Sequence, residues 1–546
     1  MSRLGSKHRA LLAAAEAALD RGEPGAAVAP LRQALRAAPA DQMLLAALGQ
    51  ALIASGQAAA AVEPLARWAA AAPRNPDAAF GLAVAYQQAG ASETEAAYRA
   101  VLALDRTYVP ALTNLGVWLS DRRPAEALEP LRLALRLRPG EAEIAYNLGR
   151  AERLAGDPAA AVVSLERALS RAPRLAAARH QLALARLDMG EPAAALAAAE
   201  AARADGHPAA AAWITIGVCR RALGDPAGAE AAFRAALAVE PDAIDAAIGL
   251  AGCRLTQGDR EGAAPFYARR WQRPDFARLR ARVAAPTWDG SPLDGMLVVL
   301  AEQGLGDLFH MTRLLAAARA RVGQLVLAVP NRLVALMRGV AGADAVVSEA
   351  EATTLSPAAA CGVMDLPFCL ALNLAEIPAV PPWLQPEPAR QEAWRQRLAP
   401  EGQPLIGIAF ATALKGGKDV PVAAFAALAR VGRLILLGPE RIDPALPILT
   451  PSLDADGAFL DTAAIIPLCR AVVSVDTAVA HLAGALGHPT ALLLPPVPEW
   501  RWFGGDTPTT PWYPAHRVFR RASTAGQAEP WEAVIERVAA WLGDTG

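Results

Sequence analysis

Apolar positions in the first half of the chain recur with the period of a helix. Between residues 111 and 119 they fall at 111, 112, 115, 117 and 119, a pattern that predicts one buried helix face. A second helical stretch follows from Pro124, which suits the first turn of a helix because its missing N–H costs nothing there. Pro139 ends this stretch. The pattern therefore predicts two helices joined by a short turn.

Turn residues repeat this helical pair along the chain at a fixed spacing. Seven glycines are separated by 34 residues, apart from one gap of 66, and they lie at positions 22, 56, 90, 156, 190, 224 and 258. The gap of 66 is two residues shorter than two periods. A second series has the same spacing, with one gap of 32 that is also two residues short, and it comprises Pro39, Pro73, Asp105, Pro139, Pro173, His207 and Pro241. The deficit falls in a shortened turn at 121–124. Such self-similarity predicts about seven helical repeats over residues 10–262.

The repeating unit is similar to the tetratricopeptide repeat. The resemblance rests on Asn114, Leu115 and Gly116, on the small residues Ala127 and Ala134 and on the proline that ends the unit. It implies an α-solenoid whose groove binds an extended segment of another protein. A rigid spacer or an oligomerisation element is the alternative reading of the same repeats.

After Gly258 the helical period is replaced by short apolar runs that alternate with helical stretches. Runs of this kind predict buried parallel strands of α/β units, and six of them lie at 296–300, 325–329, 405–409, 434–437, 471–475 and 490–494. A proline-rich segment at 378–388 separates the first two runs from the others. We therefore expect a repeat array at 1–262, a linker at 263–295 containing Trp271 and Trp288, and two Rossmann-like lobes at 296–388 and 400–546 with a cleft between them.

Composition narrows the classes of function. The 53 basic and 54 acidic residues give a net charge of −1, which argues against a nucleic-acid partner. The absence of a long apolar run predicts no stable membrane insertion and a cytoplasmic location. Five scattered cysteines and seven scattered histidines predict reduced thiols and no metal site. The three lysines of the chain lie at 7, 415 and 418, so two of them are close together.

Three predicted strand-to-helix loops are candidates for chemistry, because ligands of open α/β sheets bind at the carboxyl ends of strands. The first is 302–307, where Gly304 and Gly306 let the backbone approach a ligand and Asp307 precedes a helix expected from residue 308. Helix capping by Asp307 is the competing explanation. The second is 410–419, in which Lys415 and Lys418 form either an anion site or a solvated surface turn.

The third loop, 474–484, leads into a helix that is expected to begin at Asp476 and Thr477. Its free N–H groups and positive dipole end suit a diphosphate. Asp476 is then a cap or an acceptor for sugar hydroxyls, because two anions repel each other. The sequence 454–456, Asp–Ala–Asp, is formally a metal motif of another glycosyltransferase fold, but its Asp/Gly-rich surroundings predict a turn.

Together, the segments 302–307 and 475–484 resemble bacterial repeat-bearing glycosyltransferases related to the lipopolysaccharide heptosyltransferases. The segments 500–502, 511–514 and 517–520 resemble the C-terminal signature of that group. The resemblance covers 286–540 and implies a GT-B fold, a nucleotide-sugar donor bound mainly by the C-terminal lobe, inversion at the anomeric carbon, and neither metal nor cofactor. The lysine loop departs from the group, since it is shorter and lacks an asparagine-, histidine- and arginine-rich run.

Carried over motif by motif, the resemblance assigns roles to individual residues. It makes Asp307 the candidate base, with His310 as the reserve and Gly304 and Gly306 in the same acceptor-side loop. Either Lys415 or Lys418 matches the lysine that contacts the diphosphate. The remaining matches are a carboxylate for the nucleotide ribose and the donor-binding loop, namely Glu440, Asp476, Thr477, Ala478 and His481.

The leading interpretation is an inverting, metal-independent glycosyltransferase whose repeats recruit an acceptor protein, for example a flagellar or surface protein modified on Ser or Thr. One alternative is transfer to a glycan or lipid-linked saccharide in surface polysaccharide assembly. The other is a non-catalytic repeat scaffold that retains a degenerate transferase domain.

Overall fold

The computed structural model describes residues 2–373, 382–398, 403–410, 420–439, 442, 447–497, 499–502, 507–524 and 527–544. For 2–9, 523–524 and 527 it describes the backbone alone. Three residues that the sequence predicts to bind the donor, Lys415, Lys418 and Glu440, lie outside the described residues.

Helical hairpins occupy the first half of the chain. Their sixteen helices are α1 (Ser2–Asp20), α2 (Pro24–Ala37), α3 (Gln42–Ala54), α4 (Ala58–Ala71), α5 (Pro76–Gln88), α6 (Thr94–Leu104), α7 (Val109–Ser120), α8 (Pro124–Leu137), α9 (Ala142–Leu154), α10 (Pro158–Arg171), α11 (Ala176–Asp188), α12 (Pro192–Ala204), α13 (Ala209–Ala222), α14 (Pro226–Val239), α15 (Ile244–Thr256) and α16 (Arg260–Tyr267). A 3₁₀ turn (Ala268–Gln272) and α17 (Pro274–Ala281) follow.

The turn inside each hairpin explains the spacing of the glycines. All seven glycines of the series have φ between 70 and 86°, a left-handed conformation that glycine adopts without steric cost. The hairpin formed by α7 and α8 has instead the turn shortened by two residues, in which Asp121 ends the first helix with φ −86°. The described residues therefore contain eight hairpins, one more than the seven that the glycines alone mark, and the first begins before residue 10.

Small residues allow the two helices of a hairpin to pack closely. A Cβ added to Gly116 would lie 2.4 Å from Cγ of Leu131, and one added to Gly149 would lie 2.6 Å from Cγ of Leu165. Both leucines are fully buried. The two helices of a hairpin therefore approach each other closely at Gly116, and a larger residue there would displace the neighbouring helix.

The chain divides into two compact units, and the division falls within the hairpins. The first unit comprises the residues up to 187 together with 197–207, and the second comprises 188–196 and everything from 208 onwards. In the first unit each helix from α1 to α9 packs on the next. In the second, α13 to α16 pack in the same sequential way. The predicted boundaries at 262, 295 and 388 stay predictions. The segment predicted as a linker, 263–295, contains the end of α16, the 3₁₀ turn and α17.

Two parallel sheets lie in the second unit. Their strands, with a separate two-stranded hairpin as the last pair, are β1 (Leu293–Leu300), β2 (Val322–Val329), β3 (Ala345–Ser348), β4 (Ala359–Gly362), β5 (Leu405–Ala409), β6 (Arg433–Leu436), β7 (Ile448–Leu449), β8 (Ala471–Val475), β9 (Thr490–Leu494), β10 (His516–Arg520), β11 (Ser523–Thr524) and β12 (Gln527–Ala528). The first sheet has the order β3-β2-β1-β4, and the second has the order β10-β9-β8-β5-β6-β7.

Short helices connect these strands, and they are α18 (Leu305–Met311), α19 (Leu315–Arg319), α20 (Val334–Met337), α21 (Glu349–Ala352), α22 (Leu366–Cys369), α23 (Pro388–Arg397), α24 (Leu460–Ile465), α25 (Ala478–Ala485) and α26 (Trp531–Asp544). All six apolar runs that predict strands are strands, so this part of the prediction is confirmed. The strands β3, β4, β7 and β10 of the two sheets are additional, as is the hairpin of β11 and β12. Parallel sheets with helices between their strands are an α/β arrangement.

Candidate functional site

The first and third predicted loops meet in the second unit. The loop 301–304 connects the carboxyl end of β1 to α18, and Asp476 and Thr477 connect the carboxyl end of β8 to α25. The helices α18 and α25 pack directly on each other. A Cβ added to Gly306 would lie 2.8 Å from Cδ2 of His481 and 3.6 Å from the backbone nitrogen of Ala478. Gly306 is therefore required for this close contact between the two loops.

Asp307 is engaged by an arginine from a distant segment. Its carboxylate forms an ion pair with the guanidinium of Arg501 and accepts a hydrogen bond of 3.2 Å from the N–H of Gly304. The helix begins at Leu305 rather than at 308, so Asp307 lies inside its first turn and the expected capping contact is present. Arg501 also donates to Glu499 at 2.5 Å. Burial lowers the pKa of the Arg501 guanidinium, but the charges of Asp307 and Glu499 together raise it above its ordinary value.

Four of the predicted donor-binding residues lie at the start of α25, namely Asp476, Thr477, Ala478 and His481. Thr477 is the residue that precedes the helix, and its hydroxyl lies 3.0 Å from the hydroxyl of Ser474. His481 Nε2 lies 3.5 Å from a carboxylate oxygen of Asp476. His481 Nδ1 is hydrogen-bonded to the hydroxyl of Tyr513 at 2.7 Å. The imidazole is thus held between a carboxylate and a phenol, which fixes its orientation.

His310 lies behind Asp307 on the same helix, fully buried. Its ring is 4.9 Å from the ring of His481 and 4.3 Å from that of Trp512, measured between centroids. Neither ring nitrogen has a hydrogen-bond partner among the described residues. Burial above all lowers the pKa of His310 well below its ordinary value. A neutral imidazole in this position packs as an apolar ring, and protonating it here would be costly.

Aromatic side chains surround these two histidines. Trp502 stacks on His481 with 5.1 Å between ring centroids, and Tyr513 packs so closely on Gly484 that a Cβ there would lie 2.3 Å from its ring. Arg313 donates to the backbone carbonyl of Trp512. Burial raises the pKa of the Tyr513 phenol well above its ordinary value. The site is therefore a tightly packed, water-poor cluster at the carboxyl ends of two parallel strands.

A cavity of about 780 Å³ opens beside this cluster. Its walls come from α13, α15 and α17, from the 3₁₀ turn before α17, and from residues 496, 497 and 499–501. The lining includes Tyr267, Gln303 and Arg501, the last of which pairs with Asp307. The helical hairpins and the α/β part thus share one cavity within the second unit.

Several residues of this site were missed by the motif analysis. Arg501, Trp502, Trp512 and Tyr513 were recognised only as parts of a C-terminal signature, without a role. The available signal was the density of aromatic residues at 500–502 and 511–513 in a chain with 5% aromatic residues. The residues Gly304, Gly306, Asp307, His310, Asp476, Thr477, Ala478 and His481 are brought together, and their roles stay predictions.

The turn predicted at 454–456 is present. Asp454 accepts hydrogen bonds from the N–H of Asp461 at 2.7 Å and from Arg390 at 3.2 Å, and Asp456 accepts from the N–H of Ala458. Its neighbour Gly457 has φ 68°. Among the residues that the structure describes, no three side chains of the His, Cys, Asp and Glu types are grouped as metal ligands would be.

The family comparison identifies the repeats. Two tetratricopeptide repeat models match the chain, one at residues 12–76, 119–176 and 180–230, and the other at 220–283. The helical hairpins of the first roughly 280 residues are therefore tetratricopeptide repeats. Repeats of this kind bind segments of other proteins, which makes this part of the chain a protein-interaction scaffold. The matches end at residue 283, and they carry no support for the glycosyltransferase resemblance.

Solved structures similar to part of the chain include a tetratricopeptide repeat protein. A tetratricopeptide repeat protein from Parabacteroides merdae has 17% identity and a TM-score of 0.38, and the match covers 48% of this chain and 98% of that protein. PilF of Pseudomonas aeruginosa has 22% identity and a TM-score of 0.34, with 38% and 94% covered. MamA of Desulfovibrio magneticus has 22% identity and a TM-score of 0.28, with 31% and 95% covered. These values give no information on partners or activity.

No curated protein matches the sequence of this chain. Within the described ranges, none of the helices has both the length and the apolar character that crossing a membrane demands.

Proposed function

We propose that the chain is an inverting, metal-independent glycosyltransferase that moves a sugar from a nucleotide sugar to a hydroxyl of a protein recruited by the repeats. The observation that supports this proposal is the packing of α18 on α25, which brings Asp307 of the first helix close to Asp476 and His481 at the start of the second. Asp307 lies in the first turn of α18, which follows β1, whereas Asp476 precedes α25 and His481 lies within it, after β8. The strands β1 and β8 belong to two different parallel sheets. Ligands of α/β sheets bind at the carboxyl ends of their strands.

In this mechanism Asp307 accepts the proton of the attacking Ser or Thr hydroxyl. Its carboxylate is occupied by Arg501 and by the N–H of Gly304, so in this arrangement it already has partners in the place of an acceptor hydroxyl. Arg501 therefore has to turn away before transfer. In this proposal Arg501 leaves Asp307 to pair with the diphosphate of the donor. Donor binding would thus free the carboxylate that acts as the base and place a positive charge beside the leaving group.

Stabilisation of the leaving diphosphate falls to three groups in this proposal. The eight-residue helix α25 offers the free N–H groups of its first turn and the positive end of its dipole. Arg501 adds a full positive charge beside it. Lys415 or Lys418, outside the described residues, supplies the third contact implied by the resemblance.

The acceptor in this proposal is a protein because of the cavity beside the site. Helices of the repeats form its outer walls, and Gln303 and Arg501 border Asp307 at its inner end. A segment bound along the repeats could extend into this cavity and bring a hydroxyl toward the base. Transfer to a glycan or a lipid-linked saccharide has no comparable support.

A second candidate function is a repeat scaffold with a transferase domain that has lost its activity. It is favoured by the direct packing of α18 on α25 and by the engagement of Asp307 with Arg501. Such a domain would bind a nucleotide without turning it over.

The test is a panel of nucleotide sugars incubated with the full chain, with release of nucleoside diphosphate as the readout. We expect at least one donor to be consumed, and a double Lys415→Ala/Lys418→Ala variant to turn over roughly 10²-fold more slowly. Lys7→Ala, which removes the third lysine of the chain, is the matched control and should leave turnover unchanged. Nucleoside diphosphate binding without any turnover would favour the scaffold. Unchanged binding in the double variant would make the lysine loop a surface turn.

A further inference from the structure

The loop that precedes Asp307 contains a strained residue. Gln303 has φ 62°, and only Ala371 and Phe459 share a left-handed conformation with it among the described residues other than glycine. Side chains with a Cβ rarely adopt this conformation, because the Cβ crowds the backbone. It persists only where surrounding contacts enforce it, as often happens at functional sites. The contacts around Gln303 therefore indicate what the loop is held for.

One of these contacts comes from the end of the last repeat hairpin. The side-chain amide Nε2 of Gln303 donates a hydrogen bond of 2.8 Å to the hydroxyl of Tyr267, the last residue of α16. The Tyr267 ring is itself fixed, since it stacks on Phe368 with 5.2 Å between centroids and lies under the guanidinium of Arg270 at 4.4 Å. Burial raises the pKa of the Tyr267 phenol to about 12, so this hydroxyl stays protonated and available.

The residue before Gln303 is held by the same part of the repeats. Arg270 donates to both carboxylate oxygens of Glu302, at 2.9 and 2.5 Å, and to Asp365 at 2.6 Å. The side chains of Arg270 and Glu302 are 2% and 0% exposed, so this bidentate pair is shielded from water. Gly362 makes room for it, because a Cβ there would lie 2.0 Å from a Glu302 oxygen. Glu302 is thereby fixed on one side of Gln303, and on the other side α18 begins two residues after Gln303.

We propose that the repeats supply a positioning residue to the transferase site, and that this residue is Tyr267. Arg270 anchors Glu302, and Tyr267 holds Gln303 in its left-handed conformation, so the chain enters α18 in the orientation that presents Asp307. This inference rests on the proposed function. It makes the end of the repeat array a structural part of the site in addition to its role as a recruiting surface.

Two variants test the proposal without disturbing the buried ion pair. Tyr267→Phe removes only the hydroxyl that accepts from Gln303, and Gln303→Gly removes the donor while relieving the strained φ. The matched control is Tyr98→Phe, because Tyr98 is also a buried, hydrogen-bonded tyrosine of the repeats. We expect both test variants to lower kcat roughly tenfold with the donor KM unchanged, less than the ~10²-fold loss that a 1 Å misplacement can cause. Gln303→Gly should also unfold no earlier than the wild type.

A purely structural hydrogen bond would give a different pattern. It would lower the unfolding midpoint of Gln303→Gly and leave kcat within twofold of the Tyr98→Phe control, and that result overturns the proposal. Hydrogen exchange of the backbone amides at 301–308 provides a second measurement that needs no activity. Exchange there should be faster in Tyr267→Phe than in the wild type and unchanged in the control.

The exchange measurement also separates the two proposals from each other. A wild-type chain that transfers no sugar from any donor refutes the proposed function, whatever the loop does. Unchanged exchange at 301–308 in Tyr267→Phe refutes the positioning role, whether or not the chain is an enzyme.

Discussion

The pairing of Asp307 with Arg501 makes Asp307→Asn an informative substitution. Asparagine caps a helix about as well as aspartate, so a purely capping role predicts near-native stability. The structure adds a second role, because the carboxylate is a partner of a guanidinium whose side chain is only 11% exposed. An amide keeps one acceptor oxygen but loses the negative charge. We therefore expect Asp307→Asn to destabilise the second unit as well as to slow transfer.

The expected loss of stability follows from what remains around Arg501. Removing one partner of a buried ion pair costs about 3–5 kcal/mol when the other charge is left alone. Arg501 keeps Glu499, whose side chain is 44% exposed, and the new amide still accepts a hydrogen bond. A charge-assisted hydrogen bond contributes about 1.5–3 kcal/mol, so the loss should lie near 2 kcal/mol. The melting midpoint should fall by roughly 3 °C, because an unfolding entropy of about 2.1 cal/mol/K per residue is summed over a unit that comprises 188–196 and everything from 208 onwards.

The assay is thermal unfolding followed by tryptophan fluorescence, since Trp502 and Trp512 are buried beside the pair. The matched control is Glu499→Gln, which removes the exposed partner of the same guanidinium and should shift the midpoint by less than half as much. Transfer should be slowed by roughly 10²–10⁴-fold in Asp307→Asn, the range for the loss of a general base. In Glu499→Gln it should stay within a few fold of the wild type.

Two results would refute this reasoning. Equal midpoints for Asp307→Asn and Glu499→Gln would mean that the pair with Arg501 contributes nothing to stability. Full transferase activity of Asp307→Asn with the true acceptor would mean that the base is another residue. Loss of the fold would instead make Asp307 primarily structural.

Two further predictions concern stability alone. Burial lowers the pKa of His310 and of His516, the latter to about 3. In the unfolded chain both histidines take up a proton near pH 6.5, whereas in the folded chain they stay neutral. The folded state is therefore fully stable above pH 6.5 and loses stability as the pH falls below it. His516 should cost about 2 kcal/mol of stability by pH 5, and His310 should add to this loss. Urea midpoints measured between pH 7.5 and 5 should therefore fall, and a flat profile contradicts the assignment. Gly116→Val should lower the free energy of unfolding by about 1–3 kcal/mol, and with it the melting midpoint of the helical signal, because its Cβ would overlap Leu131. Gly140→Ala should leave the midpoint unchanged, because no atom lies within 4 Å of the added Cβ. Equal midpoints for these two variants would contradict the packing argument.

The repeats could be predicted from sequence because each turn depends on one local requirement. A residue in the left-handed conformation is nearly always glycine, so the turns leave a periodic mark that needs no knowledge of tertiary structure. The hairpin with Asp121 has no such residue, and counting glycines therefore gives one repeat too few. The six predicted strands could be recognised for a similar reason, because each is a continuous run of apolar residues.

The missed strands and contacts lack such local marks. β3 is only half buried over most of its length, β4 consists of alanine, cysteine and glycine, and β10 begins and ends with polar residues. The pair formed by Asp307 and Arg501 joins residues 194 positions apart, and no spacing rule relates them. Asp307 itself could be found because it lies just after a predicted strand, but the arginine that pairs with its carboxylate could not.

The contacts of Glu302 and Gln303 with the end of the repeats have a consequence for how such a chain can diversify. Helical repeats contact mainly their immediate neighbours, so whole repeats can be gained, lost or exchanged by recombination with little effect on distant ones. The hairpin that ends at Tyr267 is different, because its last residues are tied to the loop before Asp307. New binding specificities are therefore expected to arise by shuffling repeats upstream of residue 244, where α15 begins, while an exchange across the final hairpin would have to bring its own matching loop.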